Sequence, residues 1–118
     1  MILVDSSVWI DHFRSSNGRL VALLESEQVL MHPFVLGEVA CGNLQSREEI
    51  LKLMHALPSV CQAENDEVRI LIERHQLHGR GVGLIDVHLL ASCLIDHCTL
   101  WTNDKRLKTI AAELHIDN

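Results

Sequence analysis

The 118-residue sequence predicts an α/β fold, a small and mostly parallel sheet with helices packed on both of its faces. Three observations predict it. Short, mostly apolar runs at Ile2–Val4, Val29–Met31 and Thr99–Thr102 alternate with longer stretches of helical periodicity. The first of these runs is apolar at consecutive positions rather than alternate ones, as a strand buried on both faces requires. Helix-capping residues recur at the boundaries between the two kinds of segment. The length fits one domain spanning residues 1–118. A hydrophobic fraction of 47% supports a sizeable core, and aromatics at 3% with no Tyr make that core one of Leu, Ile, Val and Ala.

The elements follow in order. Ile2-Leu3-Val4 ends at Asp5-Ser6-Ser7, which offers N-caps for a helix over Val8–Phe13. Asn17 caps a second helix to about Leu24. Val29-Leu30-Met31 is the second strand. Pro33 suits the first turn of a helix reaching Cys41, stopped by Gly42-Asn43. Ser46 with Glu49 fits a capping box for a helix to about Ala56, braced by a Glu48–Lys52 pair and broken by Pro58. Val60–Ala63 reads as a short edge strand. Asn65-Asp66-Glu67 caps a helix with Val68, Leu71 and Ile72 on one face. His78–Gly83 holds three glycines and reads as a loop. Leu84–Asp96 is the most apolar helix, Thr99–Thr102 the last strand, and Asp104 to about Leu114 an amphipathic helix with Leu107, Ile110, Ala111 and Leu114 inward.

The formal net charge of −6 argues against a long electrostatic grip on nucleic acid, except where a bound cation cancels the acidity at the point of phosphate approach. Cys41, Cys61, Cys93 and Cys98 form no CxxC pair and no zinc-ligand spacing, and all but Cys61 lie in or beside apolar segments. They read as reduced, partly buried thiols of a cytoplasmic protein. The first apolar run is too short for a targeting or spanning segment, so no membrane association is expected. The eight histidines form no HExxH pattern, and most read as surface or interface residues.

Four carboxylates sit in apolar company. Asp5 follows Ile2-Leu3-Val4, Glu38 interrupts Pro33–Cys41, Asp86 interrupts Leu84–Ile95, and Asp104 follows Leu100-Trp101-Thr102-Asn103. No Lys or Arg lies within four residues of the first three. An unpaired carboxylate near a core is costly and takes a partner or a metal. In open parallel sheets the ligand cleft lies beyond the carboxyl ends of the strands, where Asp5 and Asp104 fall and where helices carrying Glu38 and Asp86 begin. Crowded carboxylates repel, and a hard cation such as Mg²⁺ or Mn²⁺ relieves them. A carboxylate-held metal with open water positions suits phosphodiester hydrolysis.

Four ordered segments carry a resemblance: Leu3-Val4-Asp5-Ser6-Ser7-Val8-Trp9-Ile10-Asp11, Pro33-Phe34-Val35-Leu36-Gly37-Glu38, Gly83-Leu84-Ile85-Asp86-Val87-His88-Leu89-Leu90-Ala91, and Leu100-Trp101-Thr102-Asn103-Asp104-Lys105-Arg106-Leu107. Together they resemble the PIN-domain ribonucleases, most closely the VapC-type toxins of bacterial toxin–antitoxin pairs. The resemblance spans nearly the whole chain. It implies a three-layer α/β/α fold and a metal-dependent endoribonuclease acting on a structured RNA such as tRNA or rRNA. It also implies a homodimer, inhibited by a VapB-like antitoxin. Asp5, Glu38, Asp86 and Asp104 carry over as metal-binding catalytic acids, with Thr102 and Ser6 as accessory hydroxyls. Where many relatives place an aromatic after the last acid, this chain has Leu107.

Each residue also has a plainer reading. Asp5 and Asp104 can act as N-caps, Asp86 as a first-turn acid favoured by the helix dipole, and Glu38 as an acid snorkelling from a helix face. Asp11 reads as a surface helix residue. Arg14, Arg80, Lys105 and Arg106 are the basic candidates for phosphate contact, Arg80 first among them, with solvated surface charge as the alternative. Trp9 and Trp101 read as core residues before base-stacking ones. A phospho-receiver domain shares the alternating pattern and an acidic Mg²⁺ pocket, yet Asp5 is followed by Ser6-Ser7 and no Asp follows Val29–Met31. A non-catalytic binding module is the remaining alternative, and the full acidic set argues against it.

Overall fold

A computed structural model describes residues 1–118. Its elements are β1 (Ile2–Val4), α1 (Ser6–Arg14), α2 (Gly18–Glu25), β2 (Val29–Leu30), α3 (Pro33–Ala40), α4 (Arg47–His55), α5 (Asn65–His75), α6 (Leu84–Asp96), β3 (Thr99–Trp101) and α7 (Lys105–Glu113). The three strands form one parallel sheet in the order β2-β1-β3. β1 is the central strand, with Leu3 and Val4 fully buried. That burial is why its three residues are all apolar. The architecture is the expected three-layer α/β/α arrangement. Met31 bridges Ser59 outside β2, and Leu100 bridges Asp117 outside β3, so both edges of the small sheet are covered by short parallel contacts. The expected edge strand at Val60–Ala63 reduces to this contact, closed by Met31 N–H to Pro58 and Val60 N–H to Met31.

Register does the positioning. Leu3 lies level with Leu30 on one side and with Leu100 on the other, and Val4 lies level with Trp101. One residue beyond the Val4–Trp101 pair come Asp5 and Thr102, and two residues beyond the Leu3–Leu30 pair come Asp5 and His32. The carboxyl ends of all three strands therefore meet at one edge, and α1, α3 and α7 all start there.

The core runs from Leu3, Val4 and Leu100 into Leu89 and Leu90 of α6 and Leu107 and Ile110 of α7, all at most 2% exposed. Truncating any of these leucines to Ala costs about 2–5 kcal/mol. Trp9 and Trp101 belong to this core, and the Arg19 guanidinium lies 4.4 Å over the Trp101 ring.

Local chemistry differs from expectation at several helix starts. α1 begins at Ser6, with Asp5 itself as cap. Ser46 is left-handed at φ 52° and makes no capping hydrogen bond, so the Ser46–Glu49 box does not form. Glu48 and Lys52 do not close to an ion pair either: the only ion pair within reach joins Arg80 to Glu113. The cap of α5 is Glu64, one residue earlier than expected, with Glu67 accepting from its N–H. Of the four thiols, Cys93 and Cys98 are buried, whereas Cys41 is exposed despite its apolar neighbours, as is Cys61. Most histidines lie outside the core, as expected, while His32 and His88 are buried.

Candidate active site

Asp5 is the centre of the site. It caps α1 by accepting from Ser6 N–H at 2.8 Å, and it is only 5% exposed. Its other oxygen accepts from the Ser7 hydroxyl at 2.9 Å and from the Thr102 hydroxyl at 2.7 Å. A buried carboxylate given three short donors is held in one orientation. The capping reading and the site reading of Asp5 are thus the same geometry: the cap fixes the carboxylate at the sheet edge.

The second acid arrives from α3. Glu38 lies on the exposed face of that helix, and the Ser6 hydroxyl donates to its Oε1 at 3.1 Å. Ser6 therefore stands between Asp5 and Glu38. The third arrives from α6, where the half-buried Asp86 accepts from Gly83 N–H at 3.2 Å across the first turn. The fourth, Asp104, caps α7 by accepting from Leu107 N–H at 3.0 Å, while Asp104 N–H donates to Thr102 Oγ1.

Electrostatics tie the four together. Burial raises the Glu38 carboxyl above its ordinary value, the Ser6 hydrogen bond opposes this, and the charges of Asp5 and Asp86 add to the rise. Burial likewise raises Asp86, opposed by the Gly83 N–H and reinforced by Asp5 and Asp104. Each raised acid thus feels two of the others. No Lys or Arg closes on any of the four: the Arg80 fork engages Glu113 instead, at 2.6 and 3.0 Å. Asp5, Glu38, Asp86 and Asp104 lie near enough for their charges to act on Glu38 and Asp86, with no cation of the protein closing on any of them. No three His, Cys, Asp or Glu side chains are drawn together into a ready-made ligand cage. The four carboxylates expected to share one cation therefore do not stand at metal-ligand spacing in this arrangement.

Three further residues join the site that sequence reasoning left as caps or surface. Ser7 donates to Asp5, lies 3.4 Å from Thr102 and accepts from Asn103 N–H at 3.1 Å. Asn103 Nδ2 donates to Asp11 at 2.9 Å, tying the loop before α7 to the outer face of α1. The available signal was the run Asp5-Ser6-Ser7: two hydroxyls follow an acid that needs only one cap. Of the basic candidates, Arg14, Lys105 and Arg106 are exposed, and the Arg106 side chain lies over Gly81.

A second group flanks the cleft on the β2 side. His32 caps α3, its Nδ1 accepting from Phe34 N–H at 3.0 Å. It is 1% exposed, and burial together with the charge of His88 pushes it down to about 4, so it is neutral. Its Nε2 is buried without a partner, as is Trp9 Nε1. The Phe34 ring lies 4.9 Å from His32 and 5.0 Å from His88, edge-on to the latter.

A family model described as the PIN domain matches residues 2–113. Two curated relatives carry the name ribonuclease VapC32, one from Mycobacterium tuberculosis strain CDC 1551 / Oshkosh and one from strain ATCC 25618 / H37Rv. Each is 45% identical over 114 residues, covering 96% of this chain and 92% of the relative. No helix is long and apolar enough to cross a membrane.

Proposed function

This chain belongs to the PIN-domain family, and we propose that it is a VapC-type endoribonuclease that hydrolyses phosphodiester bonds of RNA with the help of Mg²⁺ or Mn²⁺. The observation that carries this reading is the convergence of Asp5, Glu38, Asp86 and Asp104 from four separate elements on the carboxyl edge of the sheet, with mutual repulsion and no protein cation to relieve it. The curated relatives named as ribonucleases support the choice of RNA.

In this reading the four acids hold the cation, which supplies charge at the scissile phosphate and an activated water. Ser6, Ser7 and Thr102 orient the donors: the two serines fix Asp5 against α1, and Thr102 fixes it against β3. Glu38 and Asp86 are raised by burial first and by neighbouring acids after it, so a bound cation would favour the charged form of each. The RNA is a structured one such as tRNA or rRNA. The chain acts as a toxin in the cytoplasm, as a homodimer, restrained by a small VapB-like antitoxin, and residues 1–118 form a single nuclease domain.

The test is cleavage of total cellular RNA with Mg²⁺ or Mn²⁺, with EDTA, and with Asp5→Ala. Metal-dependent cleavage that Asp5→Ala abolishes is the expected result. Cleavage that survives both chelation and the substitution sinks the proposal.

A further inference from the structure

The exposed face of α3 carries Phe34, Gly37 and Glu38 in one strip, at spacings i, i+3 and i+4. Resting on the ribonuclease reading above, we propose that this strip is a nucleotide subsite, which seats an unpaired RNA base against the Phe34 ring beside the scissile phosphate.

Phe34 is the first observation. Of the two Phe and two Trp in the chain, it alone is exposed, at 40%. An exposed ring is ordinarily mobile. This one is braced by two buried histidines, His32 at 4.9 Å and His88 at 5.0 Å. His32 also caps the helix on which Phe34 sits, and it follows Leu30 by two residues as Asp5 follows Leu3, the partner of Leu30 in the sheet. The ring is therefore presented at the edge where the acids meet, with its orientation fixed before any ligand arrives.

Gly37 is the second observation, and it is independent of the first. Glycine inside a helix is unfavourable relative to alanine, so it normally answers a packing need. Here a Cβ would meet nothing within 4 Å, and no neighbour requires its absence. What the glycine leaves is a bare floor between an aromatic wall and a carboxylate. The strip spans about 6 Å along the helix axis, one turn.

Charge supplies the reason for such a device. At a net charge of −6 the chain gains little from phosphates in general. Stacking on a ring is indifferent to that charge, and it needs a base that is not already stacked in a duplex. The subsite therefore selects an unpaired stretch, such as a loop of a folded RNA.

The experiment uses short RNA oligonucleotides of mixed sequence, single-stranded or annealed to their complements. Binding is read by fluorescence anisotropy in Mg²⁺, and cleavage is followed separately. The wild type binds and cleaves the single strands in preference to the duplexes. Phe34→Ala raises Kd and KM for single strands by roughly ten- to hundred-fold with kcat little changed, and Phe34→Trp restores both. Gly37→Gln weakens binding in the same way while Tm is unchanged or raised. Binding and cleavage by Phe34→Ala and Gly37→Gln that match the wild type overturn the subsite. So does a Phe34→Ala protein that falls from dimer to monomer with cleavage per chain unchanged, because Phe34 is then covered by a second copy. A wild type that binds through these residues without cleaving removes the ribonuclease reading and leaves the subsite standing. One that neither binds nor cleaves removes both.

Discussion

The Thr102 hydroxyl donates to Asp5 Oδ2 at 2.7 Å across a separation of 97 residues. The bond joins the end of β3 to the end of β1, and it exists because the parallel register sets Val4 level with Trp101. The central carboxylate of the cleft is thus oriented by a strand it is not part of, and Thr102 Oγ1 also accepts from Asp104 N–H at 3.1 Å. One hydroxyl sets two of the four acids.

Thr102→Val keeps the shape of the side chain and removes both roles of the hydroxyl. Losing such an orienting partner typically costs 10–100-fold in metal affinity or activity. We expect a drop of about that size in Mn²⁺-supported cleavage, with Thr102→Ser retaining most of it. Metal titrations of the two variants check this, and equal activity in wild type and Thr102→Val rejects the orienting role.

Glu38 and Asp86 have folded-state values raised above their unfolded ones, by burial first and then by the neighbouring acids. The folded protein therefore binds more protons than the unfolded chain between those values, and stability falls as pH rises through the carboxylate range. At pH 7 in EDTA, Glu38→Gln or Asp86→Asn should raise Tm by roughly a few degrees. Added Mg²⁺ should raise Tm of the wild type and do so much less in either variant. Differential scanning fluorimetry gives all six values. A wild-type Tm indifferent to Mg²⁺ removes the metal from the proposal.

His32 runs the other way in pH. Its folded value near 4 lies below the ordinary histidine value, so the unfolded chain takes up a proton that the folded protein refuses. The stability this confers is present at neutral pH and is lost as pH falls from about 6.5 to about 4, amounting to up to about 3 kcal/mol. His32→Asn retains an acceptor for Phe34 N–H and removes the titration. Urea unfolding between pH 7 and 4.5 should show a shallower decline in that variant, and parallel declines would assign the acid sensitivity elsewhere.

Gly81 adopts φ +81°, and a Cβ there would lie 2.6 Å from Arg106 Cδ and from its Nη1. The Arg106 side chain can swing aside, so the backbone conformation dominates the cost. Gly81→Ala should destabilise by about 1–2 kcal/mol, read as a lower midpoint in urea. A neutral substitution would mean that the loop relaxes out of the left-handed region.

Much of this was legible in the sequence. The runs at β1, β2 and β3 announced themselves by consecutive apolar residues, α6 by its length, and the four acids by their company. Register was not legible, and with it the fact that His32 and Thr102 flank Asp5. It depends on pairing between strands distant in the chain, Ile2 level with Val29 on one side and with Thr99 on the other, which no local pattern records. Ser46 failed as a cap for a related reason: the box is a backbone conformation as much as a pair of residues, and the chain enters α4 through a left-handed turn. Arg80 was the first candidate for phosphate contact, and its engagement with Glu113 is likewise a contact 33 residues distant that only the fold supplies.

The Thr102–Asp5 bond also sets an order of events during synthesis. Asp5 is made 97 residues before Thr102, and β3 is the strand that completes the sheet. At typical ribosomal speeds the interval is about 5–20 s. Through that interval the emerging chain holds Asp5, Glu38 and even Asp86 without the partner that aims the first of them. The orientation of Asp5 by Thr102 therefore waits on the last strand of the sheet.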